Sequence, residues 1–256
     1  MATAYDSAFF SLVADGSLPS ARAVVPLVIA LLHPKSVVDV GCGPGAWLRA
    51  FVENGVRKIH GIDGEHMDRS KLLIDQKDFA TADLAGDFSI DAQYDLALCI
   101  EVMEHLPEAR AETLIGRLTS AAPVVLFSAA IPGQGGVNHV NERWPAYWRD
   151  LFAKRGFVML DPFRPQIRDD PRISFWVRQN IVLFVSNVAK ASYPLVRRYF
   201  EISEPTGCEW VHVEVYEKWF NQATKTRRVN EILHDLRSAV GRSVRRRLKT
   251  VSRFTR

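Results

Sequence analysis

The chain has 256 residues, 47% of them hydrophobic and 24% charged, with a formal net charge of +4. This globular composition gives ample length for a buried core, in one generous domain or a domain with an appendage. Cys42, Cys99 and Cys208 show neither CxxC nor paired spacing, which argues against a disulfide framework or a zinc site and fits a reducing compartment.

The charge is unevenly spread. Residues 225–256 hold eleven Lys or Arg against Glu231 and Asp235, whereas residues 1–224 carry 22 basic and 27 acidic side chains. The basic balance belongs to the tail, which suits an anionic membrane face or a partner; the body does not look like a nucleic-acid surface. No apolar run reaches the roughly 20 residues of a membrane span, and the longest, Ala23 to Leu32, is interrupted by Pro26. A cytoplasmic protein is expected, at most peripheral to a membrane.

Residues 1–34 open with Tyr5, Phe9 and Phe10 and continue in a helix-like run, Ser20 to Leu32, a helical cap before the first strand. Ser36 to Val40 is β-branched and continuous, as a strand buried on both faces requires. Gly41, Gly43 and Gly45 then allow a tight turn and close backbone approach to a ligand, and Trp47, Leu48, Phe51 and Val52 have helical spacing. This strand–loop–helix is a nucleotide site. Gly41-x-Gly43-x-x-Ala46 also satisfies the dinucleotide fingerprint. Asp39 weighs against a pyrophosphate, because like charges in a partly desolvated cleft repel, and favours a ligand carrying sulfonium and ammonium groups, such as S-adenosylmethionine.

Lys58 to Asp63 reads as a second strand ending in an acid that can accept both ribose hydroxyls, followed by Gly64. A third strand is expected near Lys77 to Ala82, before Asp83 and Leu84, and a fourth over Tyr94 to Ile100, running into Glu101-Val-Met-Glu104-His105-Leu-Pro107. Ala122 to Ile131 is a fifth. A glycine-containing loop, Pro132 to Asn141, leads into a helix from about Pro145 to Lys154, with Trp144, Trp148 and Phe152 spaced as a core stripe. Gly156 to Leu160 and Phe175 to Val185 read as the last two strands, joined by Asp161 to Ser174 as a loop over the active-site edge. Beyond, Ile232, Leu236, Val240, Val244 and Leu248 recur every four residues among Arg and Lys, a basic amphipathic helix suited to the body, a dimer mate or a membrane surface.

Asp39-Val-Gly-Cys-Gly-Pro-Gly45 resembles the first motif of class I S-adenosylmethionine-dependent methyltransferases, and Tyr94 to Pro107 resembles their post-strand-four motif. The resemblance implies a Rossmann-like seven-stranded sheet, mostly parallel with the last strand antiparallel, helices on both faces, and here a C-terminal helical extension. It places the methyltransferase domain at 1–187 and the extension at 188–256. The implied cofactor residues are Asp39, Gly41, Cys42, Gly43, Gly45, Asp63, Gly64, Asp83, Leu84 and Glu101. His139 to Trp148, Gly156-Phe157, Arg164 and Gln179-Asn180 resemble, more loosely, a bacterial subgroup acting on surface glycans and secondary metabolites.

For a hydroxyl acceptor, His139 and His105 are the candidate bases, because an imidazole titrates near operating pH. Glu142, with Arg143, is a candidate for acceptor hydrogen bonds. A helix beginning at Glu101 would put Glu104 and His105 on its face, and with His139 the four can hold Mg²⁺ or Mn²⁺. That pattern resembles the metal site of small-RNA 3′-end 2′-O-methyltransferases and, in part, of ubiquinone-pathway O-methyltransferases. Arg164 and Arg168 can meet an acceptor phosphate or carboxylate. The expected activity is methyl transfer to oxygen of a small-molecule or glycan acceptor, with a homo-oligomer as one possible assembly. RNA-end methylation, a dinucleotide-dependent oxidoreductase and a non-catalytic module remain the alternatives.

Overall fold

The computed structural model describes residues 7–197, 199 and 211–223; the basic stretch from 224 onward, with its expected amphipathic helix, lies outside them. By contacts the chain divides into residues 1–212 and 213–256. In the second unit, 213–223 are helical. No described helix is long and apolar enough to cross a membrane.

Seven strands form one sheet: β1 (Ser36–Val40), β2 (Lys58–Asp63), β3 (Phe79–Thr81), β4 (Leu96–Ile100), β5 (Val124–Ser128), β6 (Phe157–Leu160) and β7 (Val182–Ser186), in the order β3-β2-β1-β4-β5-β7-β6. The first five run parallel, and β7 is antiparallel to both β5 and β6. Strand order reverses between β1 and β4, where open α/β sheets leave a crevice at their carboxyl ends. The register sets Asp39 opposite Gly61 and Leu98, so the ends of β1, β2 and β4 open on one edge. At the other end, Asp95 Oδ2 accepts the Lys35 and Ser36 amides at 2.7 and 3.0 Å, tying the starts of β4 and β1.

Strand residues alternate between two cores, as a two-residue side-chain period demands. Val37, Leu96, Leu98, Leu126, Leu183 and Val185 pack on one face with α1 (Ser7–Leu32) and α2 (Ala46–Glu53). Val38, Val40, Ala97, Cys99, Val125, Phe127 and Phe184 pack on the other with α3 (Ala111–Ala121) and α4 (Pro145–Ala153). Trp148 and Phe152 belong to the second core, where Phe152 stacks on Phe184 at 3.7 Å, whereas Trp144 is partly exposed. The segment Ala21 to Leu32 of α1 is core against α2.

Two expectations fail locally, and a third is refined. The run Phe175 to Val185 is half helix: α6 (Phe175–Asn180) precedes β7, because a short apolar run does not by itself distinguish helix from strand. The segment Asp161 to Ser174 joins β6 to β7 at the carboxyl edge of the sheet, but as a folded insert and not an open loop. It contains α5 (Arg164–Ile167), and Phe163, Ile167 and Ile173 sit in the α1 core, with Ser20 Oγ accepting the Ser174 amide. No helix starts at Glu101. Its backbone is left-handed (φ 54°), Val102 is non-helical, and only a single 3₁₀ turn, Met103–His105, follows before Pro107.

Candidate active site

The donor side is made from the ends of β1 and β2. Gly41 turns the chain at φ 82°, and a Cβ there would stand 2.3 Å from Val102 Cγ2, so no larger residue fits. Gly45 (φ 87°) caps α2 against Ile74. The loop is tied to β2 by the Gly41 amide, which donates to the Ile62 carbonyl at 2.7 Å. Between these bends, the Gly43 amide donates to Asp63 Oδ2 and the Gly64 amide to Asp63 Oδ1, both at 2.6 Å. Burial raises the pKa of Asp63 although both amides oppose it.

Asp39 is 1% exposed and its Oδ2 has no hydrogen-bond partner. Burial, then the neighbouring Asp63 carboxylate, push its pKa up to about 8. A buried acid of this kind is stabilised by a cation brought beside it and destabilised by a phosphate. The loop therefore fits S-adenosylmethionine, whose sulfonium and ammonium are positive. Cys42 is a partial departure: its side chain is buried in the α1 core, leaving its backbone to line the loop. Asp83 is exposed with Oδ1 accepting the Ala85 amide in a turn, and Leu84 packs beneath it on the second core.

The acceptor side is assembled from the segments after β4 and β5. Glu104 is fully buried, with Oε1 accepting the Ala130 amide at 3.2 Å and its carbonyl accepting the Val140 and Asn141 amides. Burial, and then Glu101, hold its carboxyl well above the usual range. His105 and His139 meet edge to face at 4.8 Å. Burial, then His139, lower the His105 pKa to about 4. His139 Nδ1 lies 2.9 Å from Glu142 Oε1, and Glu142 itself accepts the Gly133 and Gly135 amides at 2.7 Å each. Two amides thus anchor the carboxylate that orients the imidazole. With Nδ1–H donating to Glu142, Nε2 is left as the proton acceptor.

Of the four side chains expected to hold a metal, three converge: ligand atoms of Glu104, His105 and His139 lie within 4.8 Å of one another. Glu101 is outside that group, its Oε1 accepting from Asn180 Nδ2 at 3.0 Å and its Oε2 from Gln134 Nε2 at 3.3 Å. It nevertheless stands beside the Glu104 carboxyl, whose pKa it raises. Arg164 is no acceptor ligand: it is fully buried against Asp161 at 2.8 Å and the Gln179 carbonyl at 3.2 Å. Arg168 pairs with Asp169 at 3.7 Å, and Arg143 bonds Asn141 and Glu108. Gln134 carried no signal in the sequence. Its part in holding Glu101 comes from the fold alone.

Residues 20–150 match a methyltransferase domain family. The chain is 32% identical over 189 residues to a ubiquinone biosynthesis O-methyltransferase of Stutzerimonas stutzeri, covering 67% of this chain and 74% of that protein. It is 31% identical over 136 residues to a magnesium-protoporphyrin O-methyltransferase of Synechocystis, covering 50% and 51%. The crystal structure of magnesium protoporphyrin IX methyltransferase from Synechocystis PCC 6803 is similar with a TM-score of 0.46, at 18% identity over 67% of this chain and 84% of that one.

Proposed function

The chain belongs to the class I S-adenosylmethionine-dependent methyltransferases, and from that premise we propose that it methylates a hydroxyl oxygen of a small or saccharide acceptor with His139 as general base. The observation that carries this reading is the Glu142–His139 pair on the edge of the cleft. Bound S-adenosylmethionine supplies an electrophilic methyl group. The chain's own residues do the rest. His139 Nε2 takes the acceptor's proton and Glu142 stabilises the imidazolium that forms. That both named relatives are O-methyltransferases supports oxygen as the methylated atom. Arg164, buried against Asp161, is withdrawn from contact with an acceptor phosphate. Radiolabelled S-adenosylmethionine offered with neutral small-molecule and RNA fractions of a cell extract tests this: label is expected in the first, and label confined to RNA overturns the reading.

A second reading is favoured by the convergence of Glu104, His105 and His139. These residues would hold Mg²⁺ or Mn²⁺, and such an ion lowers the pKa of a hydroxyl. Glu104 Oε2, buried without a hydrogen-bond partner, fits that role. Thermal melting with added Mn²⁺ or with chelator decides: a metal-dependent rise in Tm that His105→Ala removes supports the ion, and identical curves leave His139 as a metal-free base.

A further inference from the structure

Asp63 is already engaged before any ligand arrives. Oδ2 accepts the Gly43 amide, while Oδ1 accepts the Gly64 amide and lies 3.3 Å from His66 Nε2. A carboxylate offers about four lone-pair sites, whereas a ribose diol brings two O–H donors. Two of the places are taken by amides, and His66 Nε2, when it carries a proton, stands over a third, so one remains for two hydroxyls. The two amides belong to backbone fixed by the glycine loop and the end of β2. His66 is different: it is a side chain, 47% exposed, on the turn beyond β2. Gly64 is what lets it lie there, since a Cβ at that position would stand 2.4 Å from His66 Nδ1.

We propose that His66 is a latch on the ribose site, its imidazole occupying the Asp63 position that one ribose hydroxyl needs and turning away when the cofactor binds. The proposal rests on Asp63 being the ribose ligand. The latch responds to pH. An imidazolium pairs with the carboxylate by charge as well as by hydrogen bond, and a neutral imidazole by hydrogen bond alone. Acid therefore tightens the latch and weakens cofactor binding; neutral imidazole yields more readily. Asp39 on β1 and Cys42 in the glycine loop are titratable groups that interact with Asp63. Asp39 also favours a cationic ligand as pH rises, so the latch is read from differences between variants and not from one curve.

Calorimetric titration of S-adenosylhomocysteine into the full chain, its His66→Ala variant and its His66→Gln variant provides the test. At about pH 5.5 the alanine variant is expected to bind about 3–10-fold more tightly than the parent, the worth of one charge-assisted hydrogen bond, and the two converge near about pH 8. Glutamine retains a neutral donor toward Asp63, so His66→Gln is expected to match the parent near about pH 8 without the parent's additional loss in acid. Weaker binding by His66→Ala at every pH makes His66 a cofactor ligand and overturns the latch. Parallel curves for parent and His66→Ala overturn it as well. Wild-type affinity in Asp63→Ala would instead remove the ribose assignment on which the latch rests.

Discussion

The two halves of the cleft are built by different means. On the donor side, main-chain amides do most of the work: Gly43 and Gly64 converge on one strand-end acid, and the parallel register aligns the ends of β1 and β2. On the acceptor side, side chains from segments 34 to 38 residues apart, Glu104 and His105 after β4 and His139 and Glu142 after β5, meet through loop geometry. A binding surface of amides is fixed by the fold and serves one ligand. A surface of loop side chains can be exchanged without disturbing the sheet, as the scaffold-and-loop division of labour predicts.

Substitutions sharpen this contrast if each half answers for its own step. The largest effect is expected from His139→Ala, a fall in kcat of about 10²–10⁴ with S-adenosylhomocysteine affinity unchanged by calorimetry. Asp63→Ala should do the reverse, weakening that affinity by about 10–100-fold, with turnover recovered at saturating donor. A variant that moved both quantities together would break the separation. The smallest effect is the pH dependence set by Asp39, whose pKa is pushed up to about 8. Between its unfolded value near about 4 and that raised value, the folded state binds more protons than the unfolded one, so the unliganded protein loses stability as pH rises through this window. A cationic ligand favours the ionised form. Donor affinity is therefore expected to rise severalfold from about pH 6 to about 8 even in His66→Ala, and adding Asp39→Asn to that variant should flatten most of the remaining rise.

The donor side was largely legible because its signals are local. Asp39, the three glycines and the start of α2 lie within eleven residues, and Asp63 ends the next strand. Short range also explains the readable strands: Ser36 to Val40 is buried at every position, as its β-branched content implies. The acceptor side was legible in its residue types but not in its grouping. Spacing put Glu101 with Glu104 and His105 on a helix, and the left-handed backbone at Glu101 overrode it. Likewise, charge alone made Arg164 a ligand for an anion, whereas burial beside Asp161 made it part of the core.

By itself, then, the sequence determined the fold class, the order of the strands along the chain and the nature of the donor, because strand burial and glycine turns depend on neighbouring residues. Only the tertiary structure decided that Glu142 orients His139, that Asn180 and Gln134 bond Glu101, and that His66 stands over Asp63. Except for His66, these pairings join separate loops and elements, and even His66 is placed by a turn that spacing does not specify. They depend on distances and backbone angles that no residue type encodes.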